Sequence, residues 1–465
     1  MRPRIINREQ LLAVGDAGMR EVVLDILEET LAELNAYKRL KDLIFFDGRI
    51  LRIGTETWDL SKKRQVYLIC GGKAANATTM ALEEILGERL TGGVAIVKSL
   101  EPQDNIKKCE VFVGGHPLPN KEGYKGCQRI LQMVAEAGPD DLFISAISGG
   151  TSALMACPIE GLSLEEEILT TDVCLKSGAN IHEINSIRRH ISRINGGQLA
   201  KKIEARGAEM ILLMHVDAIG WPATADTGIR NKIVGGPMAP DNTTLHDAHR
   251  VIANYGLKDK LPRNVIRFFE QATQAHETPK VLKGLTSFSI NTIPDLCLAA
   301  RTAIERRGIP VVVLTSSLAG SSRHAGTFFS SIAQEVRLSG NPARAPVIFV
   351  ATGEVSTIIK DPRNVRGFGG PSQELAASFA IGARNLKGHA LPALIVMGPM
   401  GLPTQRVVLW IQLPFGTLRK KGWICMRHCV TMLLMTLWGG LLAASIQVTP
   451  VPHCVISMFC IFRET

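Results

Sequence analysis

The stretch Arg64-Gln-Val-Tyr-Leu-Ile-Cys70, followed at once by Gly71-Gly72-Lys73-Ala74-Ala75, decides the fold class of this chain. The apolar run predicts a buried strand, and the helical pattern that continues to Leu90 predicts a helix after the glycines. A helix start directs backbone N–H groups outward and a lysine adds a full charge, so an anion can bind there. The spacing is not that of a P-loop, and a tight turn with a surface lysine is the alternative interpretation.

Three further apolar runs are short, bounded by glycine or polar residues and followed by helical or irregular sequence: Gly93–Val97, Asp141–Ile147 and Ala208–Met214. Before them, residues 8–36 carry apolar residues at helical spacing and predict a helix. Buried strands that alternate with helices predict a parallel sheet covered on both faces. Ligands bind such sheets where strands end and loops begin, which is where the glycine-rich segments after Cys70 and Ile147 lie.

A second α/β unit is predicted after Lys283. It reads as helix, strand, helix, strand and helix over Asp295–Arg307, Ile309–Leu314, Thr327–Leu338, Ala345–Val350 and Gln373–Arg384. We therefore predict an α/β protein of two domains, with mainly parallel sheets covered by helices. The predicted domains are residues 1–285 and 286–397, and residues 398–465 form a tail of different character.

Composition narrows the class of protein further. Of the 465 residues, 46% are hydrophobic and 21% are charged, which is typical of a globular chain. The net charge of +10 comes from scattered basic residues and only 5% of residues are aromatic, so we expect an anionic small molecule rather than a nucleic acid as partner. The cysteines form no CxxC pair and the N-terminus has no apolar signal region, which favours the cytoplasm, with a mitochondrial presequence as the alternative.

Two segments and two aspartates are candidates for binding phosphate and substrate. Ser148-Gly149-Gly150-Thr151-Ser152 has a backbone that can approach a phosphate and hydroxyl groups that can donate to it, although such turns also arise by chance. Asn185-Ser-Ile-Arg188-Arg189-His190 either clamps a carboxylate or phosphate or forms a solvated helix face. Asp217 and Asp241 are candidates to hold a metal or accept a proton, although a lone loop aspartate is more often a cap or turn residue.

Taken in order along the chain, these segments resemble the glycerate 2-kinase family, whose C-terminal half is called the MOFRL domain. The motifs that carry the resemblance are Gly72-Lys73-Ala74-Ala75, Gly115-His116-Pro117-Leu118-Pro119, Ser148–Leu154, Ser177-Gly178-Ala179, Asn185–Ser192, Gly196–Ala200, Pro240–Thr244, Gly353–Thr357 and Gly367–Leu375. The resemblance covers roughly residues 10–397, and the series as a whole is specific although no single motif is.

The resemblance implies transfer of a phosphoryl group from ATP, with Mg2+, to D-glycerate, in a cleft between two α/β domains. It implies catalytic roles for Lys73, Arg188 and Asp217, with Asp217 also the candidate Mg2+ ligand. The implied nucleotide- and substrate-binding residues are Gly71, Gly72, Ser148, Gly149, Gly150, Thr151, Ser152, Asn185, Asp241, Glu354, Gly369 and Gly370. The oligomeric state is left open.

The chain departs from the family pattern at several positions. Asn195 stands where the family usually has lysine, Trp221 where it has a second aspartate, Gly235 where it has serine, and Pro371 where many members have arginine. The Asn195 and Pro371 departures each remove a positive charge, and proline donates no backbone hydrogen bond. Nucleotide binding is the function that these departures put in question.

After Met397 the sequence changes character. Met397-Gly398-Pro399-Met400-Gly401-Leu402 can be encoded by ATG GGA CCG ATG GGA TTG, which reads Gly-Thr-Asp-Gly-Ile, the usual family continuation, two bases later. We therefore infer a tail translated out of frame, through a gene-model error, a frameshift or alternative splicing. The alternative is a tail anchor, because residues 430–446 are apolar, uncharged and preceded by basic residues, although the run is short for a membrane span.

Two other functions stay open at this point. Relatives have carried the label of hydroxypyruvate reductase, but no G-x-G-x-x-G motif follows a strand with an acidic residue about twenty positions on. A catalytically inactive or unstable isoform is the other alternative, because the expected Gly-Thr-Asp-Gly run is missing.

Overall fold

The computed structural model describes residues 5, 8–13, 17–102, 104–179, 181–216, 219–220, 223–224, 236–357, 370–384, 390–398, 405–411, 445–448 and 455–463, the last four ranges by backbone alone. Its contacts divide the chain into two compact units. One contains Ala36–Val216 and Thr224–Asn291, and the other contains Met1–Asn35 and Thr292–Thr465.

The first unit is built on a six-stranded sheet in which every neighbouring pair is parallel, in the order β6-β5-β4-β7-β8-β9. Its strands are β4 (Val66–Gly71), β5 (Gly92–Val97), β6 (Cys109–Val113), β7 (Leu142–Ile147), β8 (Glu209–His215) and β9 (Leu285–Asn291). All six residues of β7 are buried, as expected of a strand that is covered on both faces. The predicted parallel sheet is confirmed in this unit, with β4 and β7 side by side at its centre.

Helices and a small antiparallel sheet complete this unit. The helices are α3 (Ala36–Leu43), α4 (Ala75–Leu86), α5 (Lys121–Ala135), α6 (Thr151–Leu154), α7 (Leu164–Lys176), α8 (Ile181–His190), α9 (Gln198–Glu204), α10 (Leu245–Asn254) and α11 (Arg263–Gln271). The small sheet has the order β1 (Ile44–Phe46), β2 (Ile50–Ile53) and β3 (Glu56–Asp59). Its buried Leu51 and Trp58 belong to the same apolar core as Leu68 of β4, so the small sheet packs on the core of the main one.

The N-terminal 35 residues lie in the other unit, which differs from the predicted division at residue 285. Two helices, α1 (Arg8–Leu12) and α2 (Ala17–Glu33), replace most of the predicted helix over residues 8–36. Leu24 and Leu27 of α2 share a buried core with Ile304 of α12 (Ile293–Glu305) and with Val350. This contact joins residues far apart in sequence, so no local pattern could predict it.

The second sheet has the order β10-β11-β15-β12-β13-β14. Its elements are α12, β10 (Val311–Ser321), α13 (Ser322–Ser339), β11 (Val347–Ser356), α14 (Pro371–Ala383), β12 (Ala390–Gly398), β13 (Gln405–Ile411), β14 (Ser445–Val448) and β15 (Val455–Arg463). The two strands that the sequence predicted in this unit, β10 and β11, are parallel, and the later strands that the structure describes add antiparallel pairs. Residues 399–404 are too few for a parallel crossover, which takes a dozen or more residues, and β12 and β13 are accordingly antiparallel.

No helix among the residues that the structure describes is long and apolar enough to cross a membrane. Residues 430–444 of the proposed tail anchor lie outside those residues.

Candidate active site at the carboxyl edge of the parallel sheet

The two glycine-rich segments meet because β4 and β7 are neighbours, with Gly71 paired to Ile147. The N–H of Ser148 donates to the Gly71 carbonyl at 3.0 Å, and the N–H of Lys73 donates to the Gly149 carbonyl at 3.0 Å. The Ser148 hydroxyl accepts from the N–H of Ala74 at 3.0 Å. The segments that the sequence placed at adjacent strand ends therefore form one interlocked structure.

Gly72 is the residue that permits this close approach. Its φ is +114°, and a Cβ atom there would lie 2.5 Å from the Ser148 carbonyl oxygen, closer than van der Waals contact allows. Its N–H donates to the Ile96 carbonyl at 3.3 Å. The N–H groups of Gly72, Lys73 and Ala74 all donate within the protein, so this turn does not offer them to a ligand.

Of the three hydroxyl groups after β7, two form hydrogen bonds within the described part of the protein and one does not. The Thr151 hydroxyl donates to the carbonyl of Gly71 at 3.2 Å and to that of Ser148 at 2.5 Å. The Ser148 hydroxyl accepts from the N–H of Ala74. The half-buried Ser152 has no side-chain hydrogen bond within the described part of the chain, which leaves its hydroxyl to a ligand. Ser148 and Thr151 hold the loops together, and Gly150 lies against the side chain of Lys73.

Lys73 and His116 converge over Gly150. A Cβ atom on Gly150 would lie 2.9 Å from Cε of Lys73, 3.1 Å from Cδ2 of His116 and 3.3 Å from its Nε2. His116 follows β6, at the edge of the sheet, whereas Gly150 follows the central β7. The sequence contained His116 in the motif after Val113, but nothing local indicated a role for it.

The neighbourhood of His116 is positively charged. Burial, together with Lys73, Lys98 and Arg188, lowers the pKa of His116 from 6.5 to about 4, so its ring is neutral at pH 7. Lys98 follows β5, and Lys73 follows β4, so two neighbouring strand ends supply two of these charges. We call Lys73, Lys98 and Arg188 the cation cluster; an anion of several charges is the ligand that it would attract.

Arg188 and Asn185 carry buried polar atoms that lack partners within the described residues: Nε and Nη2 of Arg188 and Oδ1 of Asn185. The two residues are three positions apart on α8, and hence on one face of it. Burial lowers the pKa of Arg188, which is only 8% exposed. Nε and Nη2 form one edge of the guanidinium, the arrangement that binds a carboxylate or phosphate through two parallel hydrogen bonds.

The sequence is similar to a family model and to several kinases of known name. A family model described as a domain of unknown function, DUF4147, matches residues 22–270. Glycerate 2-kinase of Pyrococcus horikoshii is 36% identical over 370 residues, which is 77% of this chain and 78% of that protein. The D-glycerate 2-kinase of Thermotoga maritima is 32% identical over 329 residues, 70% of this chain and 74% of that protein.

The chain belongs to the glycerate kinase family. The crystal structure of the Thermotoga maritima glycerate kinase superposes with a TM-score of 0.71 and 26% identity, covering 95% of this chain and 99% of that one. A protein of Agrobacterium vitis named provisionally as a hydroxypyruvate reductase is 31% identical over 69% of this chain and 79% of its own length. The α/β fold and the kinase class are thus supported by both sequence and structure.

In this member of the glycerate kinase family, the carboxylate of Asp241 binds other side chains of the protein. Its buried carboxylate pairs with Arg189 at 2.7 Å and accepts from the Thr243 hydroxyl at 2.9 Å and the Thr278 hydroxyl at 2.9 Å. These partners occupy both oxygens, an arrangement typical of a structural ion pair. The predicted ligand role of Asp241 stays a prediction without geometric support.

Asn195, where the family usually has lysine, is 3% exposed. Its Nδ2 donates to the Met155 carbonyl at 3.0 Å, whereas its Oδ1 has no partner in the described part of the chain. Asn195 therefore holds Met155, the residue that follows α6. The side chain of Met155 in turn lies against Gly71. A lysine ammonium could donate to that carbonyl as well, so the departure loses a charge but not this hydrogen bond.

The remaining candidates lie in the other unit or in undescribed stretches. Glu354 is exposed on β11, and Gly370 lies immediately before α14, where Pro371 occupies the first turn and its missing N–H costs no helical hydrogen bond. Asp217 and Gly369 lie outside the described residues. In the described part of the chain, no group of three or more His, Cys, Asp or Glu side chains is arranged to hold a metal ion.

Proposed function

We propose that this protein is a glycerate kinase that transfers the γ-phosphoryl group of ATP to D-glycerate and gives 2-phosphoglycerate. The observation that carries the proposal is that Nε and Nη2 of the buried Arg188 and Oδ1 of Asn185 have no hydrogen-bond partner among the described residues, with Arg188 in electrostatic reach of His116. A small anion that also carries a hydroxyl group satisfies both at once.

The acceptor would bind through two contacts. Nε and Nη2 of Arg188 donate to the glycerate carboxylate, and Oδ1 of Asn185 accepts from a hydroxyl group. Buried donor atoms that lack hydrogen-bond partners cost free energy, so binding would relieve the penalty at the Arg188 atoms that have none among the described residues. This specifies a hydroxy acid rather than a simple alcohol.

The donor would bind against Lys73 and Lys98, the two lysines of the cation cluster. Phosphoryl transfer depends on positioning and on stabilising the charge that spreads over the phosphoryl oxygens, more than on covalent chemistry. Lys73, held over Gly150 by the interlocked loops, supplies a fixed positive charge, and Lys98 adds a second. Ser152 can donate a hydrogen bond to a phosphate oxygen.

We also propose that ATP enters as its Mg2+ complex, in which the metal neutralises phosphate charge. Mg2+ typically keeps several waters and takes one or two carboxylates plus phosphate oxygens, so it needs no cage of protein ligands. Asp217 is the proposed carboxylate on sequence grounds alone. Glu354, Gly369 and Gly370 are proposed for nucleotide binding on the same grounds, and residues 286–397 are proposed as a MOFRL-type domain.

The test is a coupled assay for 2-phosphoglycerate with purified protein, D-glycerate, ATP and Mg2+. Lys73→Ala should abolish turnover, and Lys121→Ala, an exposed lysine on α5, is the matched control. Arg188→Gln should raise KM for glycerate more than KM for ATP. Turnover that survives Lys73→Ala would remove Lys73 from the proposed mechanism.

The second candidate is reduction of hydroxypyruvate, which the name of the Agrobacterium relative favours. One assay distinguishes the two functions, because oxidation of NADH or NADPH by hydroxypyruvate is measured by absorbance and needs no ATP. Nicotinamide oxidation in the absence of kinase turnover would replace the proposed function by this one.

We propose further that the chain after Met397 is translated out of frame, which would make this product an inactive or unstable isoform. The hexapeptide Met397–Leu402, and the three of five tryptophans and four of ten cysteines that fall within residues 410–460, support this. Sequencing the transcript across the junction tests it, and an intact frame without an alternative exon would refute it. Cell fractionation would test the proposed cytoplasmic location against a mitochondrial one.

A further inference from the structure

We propose that His116 is the catalytic base that accepts the proton of the glycerate hydroxyl group as its oxygen attacks the γ-phosphorus. This inference rests on the proposed kinase function and adds a residue to its mechanism. It is carried by the position of the imidazole ring, which lies over Gly150 beside Lys73.

The loop that carries His116 is held firmly. The N–H of Gly114 donates to the Val97 carbonyl at 2.8 Å, and Asn120 donates from Nδ2 to the Val113 carbonyl at 3.0 Å while its Oδ1 accepts from the N–H of Gly123. A Cβ atom on Gly115 would lie 2.3 Å from the Leu118 carbonyl oxygen, so the loop closes tightly on itself. The backbone that carries His116 is thus held in place by contacts within the protein, which favours a fixed position for a catalytic group.

The position of the ring over Gly150 is also specific. The two ring atoms nearest to the position of a Gly150 Cβ are Cδ2 and Nε2, so Nε2 faces the same space as the Lys73 side chain. Lys73 is the proposed γ-phosphate ligand and Arg188 the proposed carboxylate ligand. We infer that the acceptor hydroxyl group lies beside Lys73, where Nε2 of His116 faces the same space.

Electrostatics gives the ring the correct protonation state. The charged groups that bear on it are Lys73 after β4, Lys98 after β5 and Arg188 on α8, and together with burial they keep the imidazole neutral and able to accept a proton. When the phosphates of ATP neutralise the cation cluster, the opposition to a charged imidazole weakens and its basicity rises. The base therefore becomes stronger when the donor is bound.

The proton balance is complete without another reactant. The glycerate oxygen forms a bond to the γ-phosphorus while the bond from that phosphorus to the β,γ-bridging oxygen breaks, and ADP leaves. The hydroxyl proton passes to His116 and then to water, which restores the neutral ring. The net reaction is glycerate plus ATP giving phosphoglycerate, ADP and a proton.

The experiment compares the pH dependence of kcat in the intact protein with that in His116→Gln, a variant of similar size whose side chain stays uncharged. His246→Gln, an exposed histidine on α10, is the matched control. We expect His116→Gln to lower kcat by ~10²–10⁴-fold, with little change in KM for ATP or glycerate. The acidic limb of the wild-type profile, expected between about 4 and the ordinary 6.5, should disappear in the variant.

Each outcome bears on the inference separately from the proposed function. If the wild type phosphorylates glycerate and His116→Gln keeps both its kcat and its acidic limb, the inference is wrong and the proposed function stands. If the variant raises KM for ATP at unchanged kcat, His116 is a phosphate ligand, and the inference is overturned. If the wild type phosphorylates no glycerate, the proposed function fails and the inference fails with it.

Discussion

Gly150→Ala should damage catalysis far more than stability. Gly150 has a φ of +87°, where an L side chain costs about 1–2 kcal/mol. The added methyl group would also lie 2.9 Å from Cε of Lys73. Carbon atoms attract most favourably at about 3.5–4.0 Å, so Cε has to retreat by at least ~0.6 Å. The His116 ring, at 3.1 Å, has to retreat as well.

A matched variant separates the backbone cost from the displacement of the site. Gly161 has a φ of +85°, and a Cβ atom there would have no neighbour within 4 Å among the described residues. Gly161→Ala should therefore lose the same ~1–2 kcal/mol without touching Lys73 or His116. Any difference in kcat between Gly150→Ala and Gly161→Ala then reports the movement of the catalytic groups alone.

The assay is steady-state 2-phosphoglycerate formation together with urea unfolding of both variants. We expect similar losses of unfolding free energy, and a kcat for Gly150→Ala that is ~10–10²-fold below that of Gly161→Ala, because a misplacement near 1 Å costs up to about that much. Equal kcat values at equal stability would refute the convergence of Lys73 and His116 over Gly150.

Three further predictions concern stability. Asp241→Asn should lower the unfolding free energy by ~3–5 kcal/mol in urea titrations, because it removes the fully buried counter-charge of the half-buried Arg189. Burial raises the pKa of Glu167 from 4.5 to about 8, so the folded protein holds this proton more tightly than the unfolded chain does. The wild type should therefore lose unfolding free energy as pH rises from 4.5 to 8. Glu167→Gln should remove that loss, as measured by urea titrations at both pH values. Gly353→Ala should lower the thermal unfolding midpoint, because its Cβ would lie 2.1 Å from the Leu318 carbonyl oxygen.

The sequence determined the local parts of this protein. The apolar run before Gly71 and the run before Ser148 predicted buried strands that end in glycine turns, and the structure has both as neighbours in a parallel sheet. These features depend on side-chain periodicity and on glycine conformation, which are properties of adjacent residues. The family likewise followed from the order of short motifs.

Only the tertiary structure decided which groups face the site. It showed that the N–H groups of the Gly72 turn form hydrogen bonds within the protein, and that Asp241 forms an ion pair with Arg189. It brought His116, which follows the edge strand, against Gly150, and it left the buried Nε and Nη2 of Arg188 without a hydrogen-bond partner in the described residues. Contacts of this kind depend on burial and on strand order, and no pattern of neighbouring residues records either.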